Sequence, residues 1–200
     1  MSTRSTPETW GSLARALHWL SAVVIITGLG HGYWMANILP RGARLPHYAW
    51  HATIFLYFGL LLALRIAWRL ADAAPAPPAG SAAWERIAAR AGHLALYALL
   101  VWLTVTGYMN WSAFPARFDP QRAGDMAITM FGLPVPALHR VRDMDVFRFW
   151  EGNHAYAAWA LAALVLLHIG AALRHHFMKH NDVLSRMWSG RPATSTRGAS

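Results

Sequence analysis

The sequence predicts an all-α, integral membrane four-helix bundle, and three observations carry that prediction. Of its 200 residues 56% are hydrophobic and only 14% charged, with a positive mean hydropathy, which places the chain in the membrane class. Four stretches are long enough to cross roughly 30 Å of hydrocarbon, which takes about 20 helical residues. The basic residues sit at the edges of those apolar runs, where lipid headgroups are the natural partner. The formal charge of +9 therefore points to a membrane surface and not to nucleic acid.

The four spans fall near residues 14–37, 47–70, 88–111 and 152–177 of one domain covering 1–200. Pro40 closes the first span, Pro46 suits the first turn of the second, and Pro75, Pro77, Pro78 and Gly80 break the chain after it. The apolar stretch Leu17 to Met35 is too long for a cleaved signal peptide and no small-x-small site follows it, so it is expected to remain as a helix. A cytoplasmic N-terminus puts 11 Lys/Arg inside (Arg4, Arg15, Arg65, Arg69, Arg86, Arg90, Arg174, Lys179, Arg186, Arg191, Arg197) and leaves seven outside. By the positive-inside rule both termini, with a polar tail over 178–200, are expected in the cytoplasm. The long connector at 112–151 then lies outside, with five Arg and five acidic residues. Its apolar middle, Met126 to Pro136, is expected to cap something apolar through Ile128, Met130, Phe131 and Leu133.

The chain has no cysteine, which removes disulfides, iron–sulfur clusters, thiolate metal sites and covalent c-type haem attachment. Any redox centre must hang on nitrogen or oxygen. Eleven histidines and eleven tryptophans are present; the tryptophans suit membrane interfaces. Carboxylates are nearly absent from the spans, so a proton relay or di-metal carboxylate site has no material. Histidine alone recurs there, and ionisable residues inside a span are costly enough to be read as functional.

His154 and His168 are 14 residues apart, a rise of about 21 Å and a rotation within about 40° of whole turns, so they share a face at two depths. Neutral imidazole is an axial ligand of haem iron, and a bundle can clamp a porphyrin between histidines on facing helices. The pair alone is equally compatible with interior histidines bonded to neighbouring helices. Partners at matching depths favour haem: His18 near the inner start of the first span can face His168, and His51 near the outer end of the second can face His154. Two bis-histidine b haems result, and six-coordinate iron points to outer-sphere electron transfer, not oxygen activation. His47, one turn before His51, stays open as a substitute ligand. His31 is rotated about 220° from His18 and cannot share its face, which suggests an interfacial residue. His93 could bond a propionate, line a quinone pocket or meet a headgroup; His139 reads as solvated. Arg65 and Arg69 could neutralise propionates or anchor the helix at the inner surface. His175, His176, Lys179, His180 and Asp182 form a polar helix end that could also meet a quinone carbonyl and pass protons.

These residues resemble the bacterial cytochrome b561 group, which shares a domain with the cytochrome b subunits of nickel–iron hydrogenases. The resemblance rests on Leu17-His18-Trp19-Leu20, the His51 segment ending in Arg65 and Arg69, Gly92-His93-Leu94 with Tyr97, and Thr106-Gly107-Tyr108. It continues through His154, His168 and His175-His176 to Asn181-Asp182 and Arg186-Met187. It implies two b haems in a bacterial inner membrane, ligated by His18 and His168 on the inner side and by His51 and His154 on the outer. Compact members include an enzyme that oxidises superoxide at the outer face and passes electrons to ubiquinone, and Phe131-Gly132-Leu133 is similar to that superoxide oxidase branch. Departures are His47, the charge-balanced outer loop and the polar tail after Trp188.

The function expected first is a superoxide:ubiquinone oxidoreductase. Arg41, Arg44, Arg117, Arg122, Arg140, Arg142 and Arg148 would steer the anion, and His175 with His93 would line the quinone site. The alternative is a membrane-anchor cytochrome b subunit that relays electrons between quinone and a redox protein partner, such as a hydrogenase or dehydrogenase, docked on 126–136. A haem-free bundle with structural histidines is the third reading.

Overall fold

The structure is a computed structural model that describes residues 2–78 and 80–190; Arg191, Arg197 and the end of the polar tail lie outside the described residues. Four long helices make the body: α1 (Ser12–Asn37), α2 (Arg44–Ala71), α3 (Ala83–Ala113) and α4 (Met144–Phe177). All four are long and apolar enough to cross a membrane. Packing runs in chain order, α1 on α2, α2 on α3, α3 on α4. Even passages place both described termini at one end of the bundle and the long connector at the other; these are called here the termini end and the connector end.

Each helix outruns the span expected from hydropathy, and at α3 and α4 a carboxylate holds the extended start. The largest difference is at α4, which starts at Met144, so 144–151 is helix and not connector. Asp143 sets that start: its carboxylate accepts the backbone N–H of Asp145 at 2.9 Å and of Val146 at 3.1 Å, two donors a new helix otherwise leaves unpaired. At α3 the Glu85 carboxylate accepts the Ala82 N–H at 3.2 Å and pairs with Arg174 at 3.2 Å and with Lys179, tying the start of α3 to the end of α4.

The termini end is closed by the chain itself. A short helix, α5 (Val183–Trp188), folds back onto α1: the Trp19 indole donates to the Met187 carbonyl at 3.0 Å and its ring meets Trp188 edge-on at 5.0 Å. Ser5 donates its N–H and hydroxyl to the buried Asp72 carboxylate, the hydroxyl at 2.6 Å.

At the connector end, 3-10 turns at Pro115–Phe118 and Ala123–Met126 lead into a hairpin of β1 (Thr129–Met130) and β2 (Leu133–Pro134). Met126 and Ile128, 1% and 4% exposed, join Leu45, Trp111, Ala116 and Ala137 in a core of their own. The expected cap thus exists, but Phe131 and Leu133 do not point into it; they are 72% and 71% exposed at the hairpin tip. His139 is also less solvated than expected, since its backbone N–H donates to the buried Ser112 hydroxyl at 2.9 Å. A second core of Ile25, Phe58, Leu62, Leu100 and Leu161 fills the middle of the bundle.

Candidate functional site

Helix α4 bears His154, Leu161, His168 and His175 at intervals of seven residues. Seven residues fall short of two helical turns by about 20°, so the four stand in one slowly drifting row. His168 meets His18 of α1 with ring centres 6.2 Å apart, and His154 meets His51 of α2 at 6.3 Å. Between the two pairs lies the middle core, with Leu161 only 2% exposed. Separation along the axis is about 21 Å.

The pair spacing is a test of fit for iron. A metal bonded at about 2 Å to one nitrogen of each imidazole, with each ring centre roughly 1.2 Å behind its nitrogen, sets the centres about 6.3 Å apart. Both facing pairs have that spacing. Neighbouring imidazoles stand closer: His93 to His168 at 5.5 Å, His31 to His51 and to His47 at 5.6 Å. Among the described residues no group of three or more His, Asp or Glu side chains is gathered for a bare metal ion. The donor set suits planar groups held from two sides.

The His51–His154 pair has partners behind it. The buried Thr106 hydroxyl donates to the Leu103 carbonyl at 3.3 Å and lies 3.1 Å from His154 Nδ1. With its one hydrogen so used, it accepts Nδ1–H, which leaves the far nitrogen of His154 free as a ligand. Gly107 makes room for that ring, because a Cβ there would stand 3.0 Å from His154 Cε1. Phe55 stacks on His51 at 4.6 Å and enters the space opposite Gly28, where a Cβ would stand 2.0 Å from Phe55 Cζ.

Arg65 donates to His18 Nδ1 at 3.0 Å and lies over Tyr97. Arg69, one turn on, lies over Trp10 and donates to the Asp72 carbonyl at 3.3 Å. The two arginines therefore differ: Arg65 faces the histidines, while Arg69 holds the N-terminal segment. His93 lies against His168, with ring centres 5.5 Å apart. His175, two turns past His168, has Asn181 Nδ2 2.8 Å from its Nδ1.

His31, expected from sequence only as an interfacial residue off the His18 face, has histidine partners that the sequence did not show. Its Nδ1 is 3.4 Å from His51 Nδ1 and its Nε2 is 3.4 Å from His47 Nδ1, so it joins both to a row of three imidazoles beside the His51–His154 pair. Rotation relative to His18 ruled out the face toward His168 but left the face toward α2 unexamined. The pairing of His31 with a residue 20 positions later was the missing signal.

The connector end carries a cavity of about 370 Å³ lined by Arg41, Arg44, Arg122 and Arg142, with Asp119 as the acid among them. Tyr48 and Phe114 form its apolar wall. Arg117, Arg140 and Arg148, also named from sequence, do not line it: Arg117 lies 4.5 Å over the Trp111 ring, and Arg148 pairs with Asp145 at 3.5 Å.

The family model described as prokaryotic cytochrome b561 matches residues 9–190. The chain belongs to that family. It is similar to cytochrome b561 homolog 2 of Escherichia coli (strain K12), 33% identical over 192 residues that cover 94% of this chain and 95% of that protein. Membership makes the chain a membrane electron-transfer protein and implies that its helical bundle binds b-type haem.

Proposed function

We propose that the chain holds two b haems, one between His18 and His168 and one between His51 and His154, and that it oxidises superoxide at the connector end and reduces ubiquinone at the termini end. The matched 6.2 and 6.3 Å spacings support the two sites. Haems held from both sides supply one-electron, outer-sphere transfer. Two superoxide anions each give up one electron and leave as oxygen, while one ubiquinone takes two electrons and two protons to become the quinol.

The protein's own side chains do the rest. Arg41, Arg44, Arg122 and Arg142 gather at one cavity, and a cluster of cations in a recess concentrates a small anion beyond what scattered charges achieve. Leu161 and its neighbours exclude water between the pairs. Arg65, a guanidinium within the bundle, would pair with a haem propionate. His93 beside His168 and His175 two turns further on would line the quinone site, with His175 as a proton carrier from the cytoplasmic surface. In this reading both termini face the cytoplasm of a bacterial inner membrane.

Arg41→Gln combined with Arg44→Gln tests the anion route. Superoxide-driven haem reduction is expected to slow about tenfold at low ionic strength and to lose most of its salt dependence, with dithionite reduction unchanged. Unaltered superoxide rates in this variant would place the entrance elsewhere.

A further inference from the structure

The connector does not lie flat across the end of the bundle. Its apolar middle packs down α2 along Leu45, Tyr48, Ala49, Ala52 and Leu56, a stripe at helical spacings of three and four. On the other side it meets α3, where the Trp111 indole donates to the Met126 carbonyl at 2.9 Å and the Tyr108 hydroxyl to the Pro136 carbonyl at 2.7 Å. The deepest point is the hairpin turn. There the Phe131 backbone N–H donates to the Tyr57 hydroxyl at 2.9 Å, and the two rings meet edge to face at 5.3 Å.

Tyr57 is the fourteenth of the 28 residues of α2, about 20 Å along the axis from its start. Its side chain leans about one turn back toward that start, which leaves the hairpin tip roughly 15 Å below the end of the helix. A 28-residue helix is about 42 Å long and the hydrocarbon roughly 30 Å thick, so only about 6 Å at each end lies outside the hydrocarbon. A tip at that depth is well within it.

We propose that the hairpin over 129–134 is a re-entrant element whose tip, Phe131 to Leu133, sits among the acyl chains of the adjacent leaflet. The large exposure of Phe131 and Leu133 is then exposure to lipid, and no charged side chain stands between Thr129 and Ala137. Polar backbone at this depth must be partnered within the protein. Pairing of Met130 with Leu133, the Val135 N–H donated to the Ile128 carbonyl at 3.0 Å, and the Tyr57 hydroxyl that accepts the Phe131 N–H supply partners. Phe131 and Gly132 have φ of 51° and 79°, the two left-handed residues of a tight hairpin turn whose twist matches the strands. His51 lies between Leu45 and Tyr57 on α2, so the hairpin flanks the level of the His51–His154 pair and shuts the gap between α2 and α3 to lipid.

The absence of cysteine makes single-site spin labelling direct. Labels at F131C, at L133C and, as the aqueous reference, at V141C are compared in the haem-loaded protein in phospholipid nanodiscs, with the visible spectrum confirming each variant's fold. Collisions with dissolved oxygen and with a water-soluble nickel chelate are measured. At both tip positions the oxygen-to-chelate ratio is expected to exceed that at V141C by about tenfold, as for a site in hydrocarbon. Tip labels as open to the chelate as V141C would put the hairpin in water and overturn the proposal. Tip labels shielded from both reagents would equally overturn it, because a second copy or a redox partner would then cover the tip.

Discussion

Replacing His154 or His51 by alanine is expected to leave one haem per chain in place of two and to stop superoxide-driven ubiquinone reduction. The remaining haem, between His18 and His168, should still be reducible by dithionite. The reasoning is geometric. Only the facing pairs have the ring separation an iron needs, 6.2 and 6.3 Å, and one imidazole cannot hold a porphyrin from both sides. His18→Ala or His168→Ala should likewise remove the other haem and leave the connector-end one. His47→Ala and His31→Ala are the contrast, since it is the His51 ring that stands 6.3 Å from the His154 ring; both variants should keep two haems. A haem count by pyridine haemochrome against protein concentration reads all six. Loss of a haem in His47→Ala with retention in His51→Ala would reverse the assignment at that site.

Trp111→Ala is expected to have the largest effect on stability outside the histidines. Trp111 is 4% exposed, packs with Met126 and Ile128, carries Arg117 on its face and donates its indole N–H to the Met126 carbonyl. Truncating a buried Trp costs about 3–5 kcal/mol. Here the loss falls on the attachment of the connector, which can detach without unfolding the bundle. Trp111→Phe keeps most of the packing but leaves that carbonyl unpaired, at about 1–2 kcal/mol. Amide hydrogen exchange over 115–140 should accelerate strongly in Trp111→Ala, modestly in Trp111→Phe, and hardly at all in the middle of α4 for either. Acceleration that spreads equally through α4 would mean that the connector and the bundle are one cooperative unit.

Much of the fold was legible because membrane-spanning helices announce themselves by length and hydropathy, and the His154 to His168 spacing needs only helix geometry to be read. Other features required knowledge of which faces meet. His31 could not be placed from its angle to His18, since that angle says nothing about the neighbour on the opposite face of α1. Arg65 and Arg69 look equivalent four residues apart, yet only the structure shows that Trp10 and the Asp72 carbonyl engage the second. The start of α4 was missed by eight residues because hydropathy follows the hydrocarbon layer while the helix follows its cap, Asp143. The Met126 to Pro136 stretch was legible as apolar but not as two-sided. Met126 and Ile128 turn inward and Phe131 and Leu133 outward because a two-residue turn at Phe131-Gly132 reverses the chain between them.

The proposed route carries electrons from superoxide to ubiquinone through two histidine-held haems. The most direct test is to expose the purified protein in nanodiscs to a superoxide source, with and without ubiquinone, while following the visible haem bands against protein concentration. Rapid reduction of two haems per chain by superoxide, followed by reoxidation only when ubiquinone is present, is the predicted result. Two haems that dithionite reduces and superoxide does not would contradict the assigned substrate and point to a protein electron donor.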